Sequence, residues 1–192
     1  MSDLKEELHS KLQASRATLV SKLDGLSEYD RRRPMTSTGT NLLGLVKHLA
    51  GVEYGNFGTS FGRPAPETIP WIEDGSIWQG ADMWARAEES SEYIVGLYQR
   101  VCAHADRVIA ELDLQAPGSV AHWPKDRRDT NLGVLLIRTV SETAQHAGHA
   151  DIVRELIDGM GGPDQHTIDE PTWREYLTRV QASADTFASR RR

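Results

Sequence analysis

Residues 139–149 read Thr139-Val140-Ser141-Glu142-Thr143-Ala144-Gln145-His146-Ala147-Gly148-His149, and they lie in the fourth predicted helix. Apolar residues around this run recur at i, i+3 and i+4, the spacing of an amphipathic helix. Glu142, His146 and His149 fall on the same apolar stripe. An ionised carboxylate is almost never buried without a partner, so we expect a partner for Glu142 and the two histidines beside it. A divalent metal ion is the simplest partner, and a buried hydrogen-bond network without an ion is the alternative.

The second predicted helix offers His48 in a similar apolar setting. A single histidine on an apolar face is more often a core residue, but the Glu/His set on the fourth helix favours a ligand. Glu142 and His146 are four residues apart and can share one ion across a helical turn. The predicted metal ligands are therefore His48, Glu142, His146 and His149. Imidazole and carboxylate donors suit zinc, nickel, iron or manganese, and we favour zinc or nickel. The set contains no thiolate, the ligand type that would indicate zinc most strongly.

Helical periodicity dominates the rest of the chain, and strand signals are weak. We predict an all-α four-helix bundle with long crossover loops and a short C-terminal helix. The expected helices run from Leu4 to Gly25, from an N-cap at Thr40, from Ser90 or Ser91 to Leu112, from an N-cap at Thr130 to Asp158, and from Thr172 to Ala182. Residues 1–185 are expected to form one domain, and residues 186–192 a mobile basic tail.

Two crossover loops connect these helices. The first, residues 58–89, contains Trp71, Trp78 and Trp84 and is expected to fold over the bundle as a cover. The second, Ala116–Asp129, places His122 beside Trp123, where the histidine could line the mouth of a pocket.

Other titratable residues receive ordinary interpretations. Glu53 is expected off the apolar stripe, His9 and His166 in exposed segments, and His104 facing solvent. Cys102, the single cysteine, is expected to be a small core residue.

Composition excludes several classes of protein. The 192 residues carry a formal net charge of −6, which argues against unaided binding to nucleic acid. One cysteine excludes an internal disulfide framework. The chain has no run of about 18 apolar residues and no apolar signal core at its N-terminus. We therefore expect a cytoplasmic protein that does not enter membranes.

Two segments resemble a known family. Residues 41–53 are similar to the second-helix signature of the DinB-like (DinB/YfiT-like) superfamily, and residues 141–151 to its fourth-helix signature. The resemblance implies a divalent metal held by His48, Glu142 and His146. The commonest pattern has His where this chain has Glu142, and Glu-x-x-x-His is similar to the mycothiol-dependent maleylpyruvate isomerase branch. His149 takes the place of a Gln and is a fourth ligand or a close neighbour of the ligands.

The resemblance also implies a function. Related branches are transferases and isomerases that use low-molecular-weight thiols such as mycothiol or bacillithiol, and they imply a small-molecule substrate and a homodimer. A metal lowers the pKa of a coordinated thiol far below about 8.5, so the chemistry is sensible. No catalytic residue beyond the ligands is indicated. The alternatives are a metal-stabilised binding or stress-response protein without turnover, and a metal-free helical interaction module.

Overall fold

The computed structural model describes residues 3–159 and 169–188. Its helices are α1 (Leu4–Ser21), α2 (Glu28–Arg32), α3 (Leu42–Glu53), α4 (Pro70–Glu73), α5 (Ser91–Glu111), α6 (Leu132–Asp158) and α7 (Glu170–Asp185). Two short strands, β1 (Pro117–Ser119) and β2 (Asp129–Asn131), pair antiparallel. A π-helical turn (Tyr54–Gly58) continues α3, and 3₁₀ turns occupy Thr59–Phe61, Ser76–Gln79 and Lys125–Arg127.

The bundle consists of α1, α3, α5 and α6, which confirms the predicted all-α fold. Helix α1 packs along α6, and α3 packs between α5 and α6. The core is mostly leucine, isoleucine and valine, and α3 is buried along almost its whole length. The larger buried cluster includes Leu43, Val46, Leu49, Ala50, Ile94, Leu97 and Ala150.

Two helices begin one residue later than predicted. Asn41 and Asn131, rather than Thr40 and Thr130, are the N-caps of α3 and α6. Their side chains accept hydrogen bonds from the backbone N–H of Gly44 (2.7 Å) and of Val134 (3.0 Å). Asparagine is a better N-cap than threonine, and in each case it directly follows the predicted residue.

The start of α5 agrees with the prediction, and the end of α1 does not. Ser90 caps α5 as expected, accepting a hydrogen bond from the N–H of Tyr93 at 3.0 Å. Helix α1 ends at Ser21 instead of Gly25. The residues after Ser21 make i→i+3 turns, which tighten the chain before Gly25 reaches a left-handed φ of 72°.

The second crossover is a hairpin rather than an irregular loop. Pro117 pairs with Asn131 and Ser119 with Asp129. Each strand has only three residues, which is too short to leave a period-two pattern in the sequence.

The first crossover covers the bundle only in part. Trp71 packs into the core, whereas Trp78 is 72% exposed and Trp84 is 52% exposed. The buried Lys47 on α3 ties the segment down: its Nζ donates to the Glu89 carboxylate at 2.7 Å and to the Trp84 carbonyl at 3.0 Å. The same Nζ lies 4.4 Å from the centre of the Trp71 ring.

Glu53 was predicted to lie off the apolar stripe, but it is fully buried at the end of α3. Arg16 on α1 donates from Nε and Nη2 to its two carboxylate oxygens, each at 2.7 Å. Arg16 also contacts Asp106 on α5, and Asp106 pairs with His9 at 2.7 Å. His9 is therefore half-buried rather than exposed. A bidentate arginine makes burial of the carboxylate tolerable, and the cluster joins three helices.

The C-terminal helix α7 extends beyond its predicted bounds, and none of its residues is buried. His166 and residues 189–192 of the expected tail lie outside the described residues. Across residues 3–159 and 169–188, no helix has the length and apolar character needed to cross a membrane.

Candidate metal centre

Three side chains from two helices meet where α3 packs on α6. His48 comes from α3, and Glu142 and His146 come from α6. One donor atom from each lies within 4.8 Å of the others. Oε1 of Glu142 is 3.4 Å from Nε2 of His48 and 3.1 Å from Nε2 of His146. The two imidazole rings meet edge to face with their centres 5.0 Å apart.

A fourth residue, Asp82, orients His48. Its Oδ2 lies 2.7 Å from Nδ1 of His48, and its side chain is almost fully buried. The Nδ1–H donates to this carboxylate, which leaves the Nε2 lone pair directed at Glu142 and His146. Metal-binding histidines commonly have such a carboxylate partner. Sequence reasoning missed Asp82, because nothing distinguishes it from the other acidic residues of the first crossover.

The position of Asp82 depends on a close contact between the crossover and α3. A Cβ added to Gly44 would come within 1.9 Å of the Met83 carbonyl oxygen, so only glycine fits there. The same carbonyl accepts a hydrogen bond from Nδ2 of Asn41 at 3.0 Å. The backbone of residue 83 is thus held against α3, one turn before His48, and the neighbouring Asp82 reaches the imidazole.

The π-helical turn that follows α3 builds the adjacent wall. Tyr54, Gly55 and Asn56 of this turn line a cavity. Nδ2 of Asn56 donates to Oγ1 of Thr139 on α6 at 3.0 Å, and Thr139 in turn donates to the carbonyl of Leu135. Single π-helical turns occur frequently at functional sites. Here the turn joins α3 to α6 beside the metal-ligand set.

His48 and Glu142 of this set line a cavity of about 960 Å³. This volume lies at the upper end of the range of small-molecule sites, roughly 300–1,000 Å³. His48, Asp82 and Glu142 form part of its wall, and most of the remaining wall is apolar or aromatic. Its other lining residues are Gly51, Val52, Tyr54, Gly55, Asn56, Thr59, Ile72, Ile77, Trp78, His122, Trp123, Ile137, Arg138 and Ser141.

The exposure of the ligands differs from the prediction of a buried stripe. The side chain of Glu142 is 40% exposed, against 22% for His48 and 15% for His146. The expectation that Glu142 is buried is therefore wrong. Its side chain lines the cavity instead of packing into the core.

Burial lowers the pKa of His146, and the neighbouring His48 lowers it further. Glu142 raises that pKa, but by less than these two effects together. The neutral form of the ring, which is the form that binds metals, is therefore favoured.

His149 lies beside this set. It is exposed, and its Nδ1 is 3.4 Å from Nδ1 of His146, with the ring centres 5.4 Å apart. His149 therefore lies on the Nδ1 side of the His146 ring, whereas Glu142 lies on its Nε2 side. A role for His149 as a fourth ligand stays a prediction.

Two side-chain pairs, one of them aromatic and the other an arginine over a tryptophan ring, line the cavity. His122 lines it as predicted and meets the Trp78 ring edge to face, with centres 5.6 Å apart. The guanidinium carbon of Arg138 lies over the ring of Trp123, 4.6 Å from its centre.

The donor set fits a divalent metal ion. Two imidazole nitrogens and one carboxylate oxygen could supply three protein ligands, and the cavity lies beside them. Three protein ligands with an open position are typical of catalytic rather than structural sites. The hydrogen bond from His48 to Asp82 supplies the orientation that such a site requires.

Comparisons with known proteins identify the fold and the family. The crystal structure of a conserved protein from Enterococcus faecalis has a similar fold, with a TM-score of 0.62 and 11% sequence identity over 83% of this chain and 100% of that one. No curated protein matches the sequence. A sequence model of the mycothiol-S-transferase family matches residues 7–159, which confirms the resemblance to the DinB-like superfamily. The match covers nearly the whole bundle, including His48, Glu142 and His146, and the chain belongs to the mycothiol-S-transferase family.

Proposed function

We propose that this protein is a divalent-metal-dependent S-transferase. It joins the sulfur of a low-molecular-weight thiol of the mycothiol type to an electrophilic small molecule. The observation that carries the proposal is the set of His48, Glu142 and His146 opening into a cavity of about 960 Å³. Membership of the mycothiol-S-transferase family supports the choice of thiol.

The thiol must come from a bound molecule rather than from the chain. Cys102 is the single cysteine, and burial raises its pKa well above its ordinary value. It lies beside Tyr98 and Arg16 in a different part of the bundle. A buried cysteine with a raised pKa is a poor nucleophile.

The protein's own residues supply position, charge and a dry environment. His48, Glu142 and His146 would hold the metal, and Asp82 keeps Nε2 of His48 directed at it. A bound divalent ion would lower the pKa of a coordinated thiol and so favour its thiolate. Glu142 makes the site one charge more negative than three neutral imidazoles would. Apolar side chains on the cavity wall would shield the thiol and the electrophile from bulk water once both are bound.

The reaction itself balances simply. The thiol loses its proton to solvent, and the sulfur forms a bond to an electrophilic carbon. The leaving group departs with the electron pair of the bond that breaks.

The size of the cavity favours this proposal over a binding protein without turnover. A small or closed pocket could not admit a thiol together with a second molecule. A cavity of about 960 Å³ lies near the upper limit for small-molecule sites, and it opens beside the ligand set.

The test is conjugation of mycothiol to a fluorogenic alkyl chloride, measured on protein loaded in turn with zinc, nickel, iron and manganese. The proposal predicts a rate above the uncatalysed background with at least one metal and loss of that rate in His48→Ala. His104→Ala, a half-buried histidine on α5 that bonds the Arg63 carbonyl, is the matched control and keeps the rate. Background rates with all four metals would contradict the proposal.

A further inference from the structure

Arg138 is a positively charged side chain that the proposed chemistry does not use. Among the described residues that line the cavity, it is the one lysine or arginine. No carboxylate of the described residues lies within 4.0 Å of its guanidinium nitrogens. A cation on a cavity wall without an anionic partner is suited to bind an anion from solution.

The sequence offers Arg138 a partner that it does not take. Glu142 lies four residues further along α6, a spacing at which opposite charges commonly pair. The guanidinium instead lies over the ring of Trp123, 4.6 Å from its centre. A guanidinium that rests on an aromatic ring keeps its N–H groups available at its edge, where they can bind a carboxylate in a bidentate manner.

Backbone contacts hold Trp123 in place. Its N–H donates to the carbonyl of Val120 at 3.1 Å, and its own carbonyl accepts from Nε of Arg128 at 3.2 Å. Val120 in turn donates to the carbonyl of Arg128 at 3.0 Å, next to the strand pair. Arg138 therefore rests on a fixed platform, which reduces the entropy lost when an anion binds.

Arg138 is also close to the proposed reaction centre. It precedes Glu142 by four residues, a rise of about 6 Å along the axis of α6. A molecule with an anionic group on Arg138 could present a carbon a few bonds away to a thiol held beside Glu142.

We infer that Arg138 selects electrophilic substrates that carry a carboxylate. This inference rests on the proposed S-transferase function and adds the class of the electrophile. The carboxylate binds the guanidinium edge, and the electrophilic carbon lies toward His48 and Glu142.

The first experiment compares iodoacetate with iodoacetamide, which share a reactive carbon and differ in charge. With either reagent the thiolate sulfur bonds to the methylene carbon, and iodide leaves with the electron pair of the broken carbon–iodine bond. The kcat/KM of each reagent is divided by its uncatalysed rate constant with the same thiol. The wild-type protein is expected to prefer iodoacetate on this scale.

Substitution then tests the residue. Arg138→Gln is expected to lower kcat/KM for iodoacetate at least tenfold, about 1.4 kcal/mol, through KM for the electrophile and not for the thiol. Iodoacetamide should be affected far less. Arg138→Lys keeps the charge without the bidentate edge and should recover part of the loss. Arg127→Gln, an exposed arginine outside the cavity lining, is the matched control. A larger effect on KM for the thiol would place the anion on the thiol and overturn the inference.

A binding measurement separates this inference from the proposed function. Calorimetric titration compares phenylacetate with phenylacetamide on the metal-loaded protein, so it needs no turnover. Tighter binding of phenylacetate that disappears in Arg138→Gln supports the inference even if no transfer is found. Equal binding of both, or a preference that persists in Arg138→Gln, overturns it while leaving the S-transferase proposal in place.

Discussion

The carboxylate of Asp82 lies 2.7 Å from Nδ1 of His48, although 34 residues separate them in the chain. This contact makes the first crossover part of the candidate metal centre. It predicts that Asp82→Asn weakens metal binding about 10- to 100-fold, the usual loss when the partner of a metal-binding histidine is removed. Competition with a chromogenic chelator measures the affinity. Glu88→Gln, an exposed carboxylate in the same crossover, is the control and should bind metal like wild type. Equal affinities for the two variants would show that Asp82 does not orient His48.

Gly44→Ala should disturb the same contact from the other side. The new Cβ would lie 1.9 Å from the Met83 carbonyl oxygen, which is backbone and must move. We expect a lower melting temperature and weaker metal binding, because Asp82 moves together with Met83. Gly148→Ala on α6 is the control, since its Cβ would meet nothing within 4 Å. That change should stabilise the protein by up to about 1 kcal/mol through helix propensity. Unchanged metal affinity in Gly44→Ala would separate the crossover from the site.

The buried pair of Arg16 and Glu53 should be sensitive to loss of one partner. Arg16→Met leaves the fully buried Glu53 carboxylate without its bidentate donor. The expected loss in free energy of unfolding is about 3–5 kcal/mol, measured by urea denaturation. Adding Glu53→Leu should restore much of that loss, because a matched apolar pair needs no compensation. Glu175→Gln, which breaks an exposed pair with Arg179, should change little. A double variant no more stable than Arg16→Met would contradict this account.

Asp106 should make stability depend on pH in the acid range. Burial alone raises the pKa of Asp106, but the charge of Arg16 and the hydrogen bonds from His9 and Arg16 outweigh it, so the pKa is lowered. A lowered folded-state pKa stabilises the protein above the unfolded value of about 3.9. That stabilisation disappears as the pH falls through the folded-state value.

Urea denaturation between pH 6 and pH 2, with chelator present, measures this effect. The free energy of unfolding of wild type should fall more steeply below pH 4 than that of Asp106→Asn. Chelator keeps metal loss at low pH from contributing. Parallel curves for the two proteins would mean that Asp106 titrates normally.

A helical period placed Glu142 and His146 on one face without knowledge of the fold. His48, on another helix, joined them because of its own apolar setting and the family resemblance. The sequence could not predict Asp82 or the pairing of Glu53 with Arg16. These contacts join residues 34 and 37 positions apart, and they depend on how the helices and the first crossover pack together rather than on any local pattern. Burial of Glu142 was mispredicted for a related reason, since helical spacing cannot show that its side chain lines a cavity built from several segments of the chain.

His149 shows the limit of helical spacing in another way. Seven residues after Glu142, it points in nearly the same direction, but it lies about 10 Å further along the helix. Direction alone therefore placed it with the ligands, while its distance along the axis places it beside His146 instead. The predicted N-caps Thr40 and Thr130 are each one residue too early, because the better cap, Asn41 or Asn131, directly follows.

Metal content is the most direct test of the central claim that His48, Glu142 and His146 bind a divalent ion. The measurement is elemental analysis of wild type, His48→Ala and His146→Ala, each purified without an affinity tag. The account predicts about one ion per chain in wild type and its loss in both variants. A wild-type protein without metal, or variants that keep it, would mean that the three side chains form a hydrogen-bonded network only, and the metal-dependent function would be wrong.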